Sequence, residues 1–394
     1  MKKLTLLISG TVLAILVASC DKSQVTNRIS GITSEDDSLA GVNVAAGETS
    51  GPFMKLFVLN EGKMGTDNAS LDFFRYSNGR YCRNTFKMMN PDISLGLGDV
   101  GNDIKVWKNT VWMTINNSGI VEVINAINEK HLASITVPSC RNIAFYGDYA
   151  YVTSYSGAVY GGNDIKGAVY KIYIGTMSVV DSVHVGYQPE GIAEYGGKLY
   201  VANGGGFHTG YDNTLTILDP EGGSETENLE IAGNLKDVYA NENGDIWISA
   251  LGDYYSVHSG LYHVDGTTNT LISRSKALED VRVSCMTMNA AGVVYVIGTD
   301  DEWNWKGPRK YNLYTIQPGG DLVKTEFTSD MDAITTPYSI CEDFYNGNIY
   351  IGDAGDCLNP GKIYCLNRDL ELLWSTTAGV DPGHMILYSP YYGI

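Results

Sequence analysis

The residues best suited to acid–base or metal chemistry are six histidines in a chain of 394 residues: His131, His184, His208, His258, His263 and His384. A zinc site of the HExxH kind needs two histidines four apart on one helix face, and no such spacing occurs. His208 and His258 fall in separate loops and are the pair that could share a ligand. The run Asp300-Asp301-Glu302 offers carboxylates for proton transfer or calcium, but adjacent acids on a polar loop are ordinarily solvated. No GxSxG turn is present. The glycines before Phe207 follow a strand pattern without opening a helix, so they do not cradle phosphate. These patterns predict a protein that is not an enzyme, with no catalytic residue, no metal ligand and no catalytic cofactor.

Recognition chemistry is better supplied. Tyr155, Tyr160, Tyr187, Phe207, Tyr211, Tyr254, Tyr255, Trp303, Trp305, Tyr311 and Tyr338 stand near Arg141, Gln188, His208, Asp253 and His258, mostly in stretches rich in Gly, Asn and Asp. Aromatic bodies with polar tips give large contact areas at low entropic cost and are enriched at binding surfaces. Apart from Tyr311, these form the candidate ligand-binding set. They are spread over about half the chain, so only a fold that returns repeatedly to one face gathers them.

Internal repetition supplies that fold. Seven segments share an apolar strand, a tight turn and a second strand with an aromatic residue: 102–114, 141–154, 190–203, 236–249, 284–298, 339–353, and a copy split between 383–388 and 55–62. The aromatics Phe57, Trp112, Tyr151, Tyr200, Trp247, Tyr295 and Tyr350 recur at intervals of 39 to 55 residues. Periods of this size mark repeat architectures such as propellers. Tyr-Gly-Asp, Gly-Gly, Asn-Gly, Ala-Gly and Asn-Gly at five turns supply the positive-φ residues that short hairpins need. Two further alternating segments follow each pair, as at 168–185 and 213–231. The fold class is therefore all-β: a seven-bladed β-propeller with four-stranded blades, its ring closed by the C-terminal strand pairing with the N-terminal blade.

That topology sorts the loops. Turns between first and second strands lie on one face. The connections after second strands lie on the other, and six of these are long: 60–70, 154–167, 203–213, 250–260, 298–312 and 353–361. Most of the candidate aromatics lie there, where a rigid scaffold displays variable loops. The first residues of the inner strands add Asn102-Asp103, Arg141-Asn142, Gln188 with Glu190, Lys236-Asp237, Tyr338 and His384 as a polar ring at the channel entrance.

The ends of the chain address location. Lys2 and Lys3, the apolar stretch Leu4 to Val17, and Val17-Ala18-Ser19-Cys20 form a secretory signal over 1–19 that ends in a bacterial lipobox, making Cys20 the lipidated residue. Residues 20–52 read as the lipidated Cys20 and a flexible tether, and 53–394 as the propeller. The net charge of −18 excludes nucleic acid as a partner and leaves the Cys20 lipid as the only membrane attachment. The remaining cysteines are Cys82, Cys140, Cys285, Cys341, Cys357 and Cys365. Cys357 and Cys365 flank one loop and are the first pair to test for a disulfide.

The segment QPEGIAEYGGKLYVAN (188–203) resembles the YncE-like repeat propellers. With the lipoprotein start, Asn60-Glu61-Gly62 and NASLDFF (68–74), the chain over roughly 53–394 is similar to the BtuG cobalamin-binding family, surface propeller lipoproteins of gut Bacteroides. That resemblance implies capture of cobalamin or another corrinoid at the loop-rich face. It also implies hand-over to a TonB-dependent outer-membrane transporter from a lipid-anchored position on the outer membrane, facing the cell exterior. A glycan-binding surface lipoprotein is the first alternative, because sugars also stack on aromatic rings. A lactonase- or lyase-like propeller enzyme is the second.

Overall fold

The computed structural model describes residues 41–45, 54–94, 96–157, 165–206, 210–222, 226–253, 259–274, 278, 281–299, 309–318 and 322–390, which belong to one compact unit spanning 34–394. They form seven antiparallel sheets. Blades 2 to 7 are each built from four consecutive strands. Blade 2, for instance, runs Gly101–Trp107, Thr110–Ile115, Ile120–Asn125 and His131–Thr136. Blades 3 to 7 begin with Cys140–Tyr146, Pro189–Tyr195, Leu235–Ala240, Arg282–Met288 and Pro337–Glu342.

Blade 1 closes the ring. Its innermost strand, Pro382–Tyr388, pairs with Lys55–Asn60 in the register Phe57↔Ile386 and Leu59↔His384, and Ser70–Arg75 and Arg80–Cys82 complete the blade. Pro382–Tyr388 also packs against the innermost strands of blades 2 and 7. Seven blades, four strands each and closure through 383–388 are as the repeat predicted. A fifth strand, Gly41–Asn43, joins blade 1 at its outer edge through Gly41↔Cys82 and Asn43↔Arg80. It lies within the stretch read as tether, so those three residues are held by backbone pairing.

Local sequence explains the hairpins. Gly147 at φ +58° turns Tyr146 back into Tyr149; a β-carbon there would meet nothing within 4 Å, so backbone strain alone is what favours glycine. At Gly347 a β-carbon would also lie 2.0 Å from Arg368 Nε. Blade 2 manages the same turn with Lys108 at φ +54°. The core lies between blades. Trp112 of blade 2 meets Phe145 of blade 3 edge-on at 5.7 Å, and Leu56, Phe74 and Tyr76 of blade 1 pack with Tyr350, Ile363 and Trp374 of blade 7. Six of the seven repeat aromatics are buried and Tyr295 is half-buried, so the residue that marks each repeat is mainly an inter-blade wedge.

The structure answers the cysteine question that the sequence leaves open. No disulfide joins the six cysteines: Cys365 is buried in the third strand of blade 7, and Cys357 sits exposed on the preceding loop.

Candidate functional site

Every innermost strand shifts register against its neighbour within its first few residues. The extra residue is Asn102 in blade 2, Ser284 in blade 6, Tyr338 in blade 7 and Gly383 in blade 1. In blades 3 to 5 it falls within Arg141-Asn142, Glu190-Gly191 and Lys236-Asp237. Bulges re-aim side chains and sit beside functional sites. Here a sevenfold set occupies the channel mouth on the loop-rich face. Two of the bulge carbonyls are satisfied by the preceding blade: Thr114 Oγ1 donates to Arg141 O at 2.5 Å and Thr153 Oγ1 to Glu190 O at 2.7 Å.

Blade 1 departs from the pattern informatively. Its bulge residue is glycine, and a β-carbon on Gly383 would lie 2.6 Å from Glu61 Oε1. Glu61, from the loop after Lys55–Asn60, occupies that space and acts as the polar group of blade 1 in the collar. Tyr338 Oη donates to Glu61 Oε2 at 3.1 Å, and His384 Nε2 lies 3.7 Å from Oε1. Repeat alignment does not place Glu61 in the ring, because it comes from the second strand's loop. The signal was there: glycine stands where the other copies have polar side chains.

Opposite lies a second cluster. Arg141 Nε and Nη2 both reach Glu190 Oε2 at 2.8 Å, the guanidinium stands 5.0 Å over the Tyr155 ring, and the Tyr155 hydroxyl donates to Glu190 Oε1. Burial opposes the Arg141 charge, but Glu190 beside it, with Tyr155 and Glu61, holds its pKa above the usual value. Lys236 is raised by Asp237 against burial, with help from Glu61 and Glu190. Tyr338 is pushed well up, first by the Glu61 charge and then by burial. Asp381, at φ +50° immediately before the closing strand, is raised to about 6 by burial and then by Glu61.

Below the collar is an axial cavity of about 340 Å³. Lys105, Lys236, Asp237, Tyr338 and His384 are among its polar lining, and Met286, Met288, Phe344 and Met385 among its apolar lining. A cavity of about 320 Å³ toward blades 3 and 4 shares Asp103, Lys105, Asp237, Tyr239 and His384 with it, so the two adjoin. Among the described residues no three His, Cys, Asp or Glu side chains are grouped to hold a metal ion.

Of the residues singled out from sequence, Arg141 and Tyr338 are in the collar. Tyr155 is nearly fully buried beneath Arg141, supporting the collar rather than offering a stacking face. Gln188 is buried at φ +43°, its carbonyl accepting from Gly204 N. Tyr187 and Tyr211 are half-buried neighbours of Asp212, whose Oδ2 accepts from Tyr187 N, and Asp253 is half-buried in the blade 5 loop. Tyr311 is buried against Phe327. Cys20, Tyr160, Phe207, His208, Tyr254, Tyr255, His258, Trp303 and Trp305 lie outside the described residues.

Fold and collar together define a seven-bladed β-propeller with a polar, side-chain-lined mouth on its loop-rich face. No family model and no curated protein matches the chain. Among solved structures it is similar to Kuenenia stuttgartiensis hydrazine synthase, at 14% identity and TM-score 0.59, over 72% of this chain and 88% of that one. It is also similar to Synechocystis apocarotenoid oxygenase, at 10% identity and TM-score 0.54, over 92% and 98%. A Bacteroides caccae protein of unknown function aligns at 14% identity and TM-score 0.46, over 73% and 98%. At these identities the first two likenesses are of fold alone.

Proposed function

We propose that this chain is a surface capture protein, anchored to the outer membrane through lipid on Cys20 and facing the cell exterior. It binds cobalamin or a related corrinoid at the loop-rich face and passes it to a TonB-dependent transporter. The role is binding, with no catalytic step and no cofactor of its own. The observation that supports it is the collar: a ring of donors and acceptors, from Glu61 and Tyr338 round to Arg141 and Glu190, above an open axial cavity. A corrinoid combines apolar faces with many amide groups and needs directed hydrogen bonds as well as aromatic area. The collar supplies the hydrogen bonds, and the sequence of the surrounding loops is rich in aromatics.

The test is titration of residues 21–394 with cyanocobalamin, read by calorimetry and by corrin absorbance on the co-eluting protein. Tight one-to-one binding supports the proposal. No binding at micromolar ligand removes it and makes a glycan array the next measurement.

A further inference from the structure

The collar is unevenly satisfied. On one side Arg141, Glu190 and Tyr155 bond one another, and on the other Glu61 holds Tyr338 and faces His384. Between them, in blades 5 and 6, the pattern breaks. Among the described residues the Lys236 ammonium donates no hydrogen bond and has no carboxylate within ion-pair distance, and the Ser284 hydroxyl has no partner. Both occupy bulge positions in adjacent innermost strands, and Lys236 lines the axial cavity.

We infer that Lys236 and Ser284 are the arc of the collar that grips the bound molecule, and that the group they take is a neutral acceptor, an amide carbonyl or a hydroxyl, rather than an anion. The inference rests on the capture reading and narrows it to a chemical group. Charge decides between acceptors. Asp237 and Glu61 already act on Lys236, with a smaller effect from Glu190, which Arg141 holds, so its positive charge is partly offset while its three N–H donors stay unused. Asp103 adds a further carboxylate to the mouth, although its Oδ1 is occupied by Lys105 at 3.1 Å. With Glu190 held by Arg141 and Asp103 by Lys105, an incoming carboxylate would still meet Asp237 and Glu61, on a chain of net charge −18. A carbonyl or hydroxyl meets no such repulsion and still receives a charge-assisted hydrogen bond. Asp237 is itself held, its Oδ2 accepting from Ser249 Oγ at 2.8 Å, so it does not swing in to take the lysine's donors.

The experiment compares the wild type with Lys236→Met, Lys236→Arg and Ser284→Ala, using cyanocobalamin and a cobalamin derivative with one side-chain amide hydrolysed to carboxylate. Lys236→Met removes no intramolecular hydrogen bond, so its circular dichroism and melting profile stay close to wild type. Its affinity for cyanocobalamin falls roughly ten- to a hundredfold, the scale of one hydrogen bond to a charged group. Lys236→Arg retains part of the affinity, and Ser284→Ala loses less. The wild type binds the carboxylate derivative more weakly than the amide. A folded Lys236→Met protein that binds as tightly as wild type overturns the inference and leaves the capture reading standing. Stronger binding of the carboxylate derivative overturns the choice of a neutral acceptor. A wild type that binds neither probe removes the capture reading and this inference with it.

Discussion

Lys55 and Glu129 form an ion pair at 2.6 Å with both side chains fully buried, across the boundary between the closing blade and blade 2. Lys55 Nζ also donates to the carbonyls of Ala126 and Ile127 and stands 5.1 Å over the Phe73 ring. A buried pair of this kind contributes little against a well-packed apolar replacement, yet removing one partner strands the other charge. Lys55→Met is therefore expected to lose about 3 to 5 kcal/mol of stability. Lys55→Met/Glu129→Met should recover much of it. Denaturant melts of the four proteins of this cycle decide the matter, and a single mutant as stable as wild type would contradict it.

A second seam device lies where blade 7 meets blade 1. The Tyr76 hydroxyl donates to Asp343 Oδ2 at 2.7 Å and lies 2.7 Å from the Tyr350 hydroxyl, all three side chains being buried or nearly so. Burial raises the Asp343 carboxyl, and the Tyr76 hydrogen bond pulls it part of the way back. Tyr76→Phe removes that donor in a place water does not reach. A loss of about 1 to 3 kcal/mol is expected in a thermal melt, with the fold retained.

Asp381 gives a pH signature. Its folded pKa, about 6, lies above the ordinary value of 3.8, so the folded state holds the proton more tightly than the unfolded chain. The stabilisation is full below 3.8 and is lost as pH rises through about 6. Asp381→Asn removes the ionisation and keeps a residue that tolerates positive φ. The variant should be more stable than wild type at pH 7.5, by about 1 kcal/mol after allowing for solvent screening of a partly exposed group, and equal to it near pH 3.5. Equal melting temperatures at both pH values would refute this.

Much of this fold was legible because propeller order is periodic. Each second strand places one aromatic between blades, and each short turn needs a residue at positive φ, so the sequence repeats what the geometry repeats. The collar was legible only in part. Arg141, Glu190, Lys236 and Tyr338 stand at matching places in their copies, but whether each reaches a partner on the neighbouring blade, as Arg141 reaches Glu190 and Tyr338 reaches Glu61, depends on side-chain reach that repeat spacing does not show. Tyr155 shows the limit: a loop aromatic near a binding face is also the natural cover for the strand beneath it. The pairing of Gly41–Asn43 is not legible in the sequence, because three residues are too few to show alternation.

Gly383 tests the seat of Glu61. Alanine there would place a β-carbon 2.6 Å from Glu61 Oε1 and 2.9 Å from its Cγ, so the carboxylate has to leave Tyr338 and His384. The backbone needs no rearrangement, and the cost to stability should stay near 1 to 3 kcal/mol, the ordinary range for overpacking. Collar geometry suffers more than the fold does. On the capture reading, Gly383→Ala weakens cyanocobalamin binding about tenfold, as Glu61→Gln does not, because glutamine fits the same space and still accepts from the Tyr338 hydroxyl. Calorimetric titration of both variants separates shape from charge. If Glu61→Gln is the more damaging of the two, the negative charge at the mouth matters more than its position.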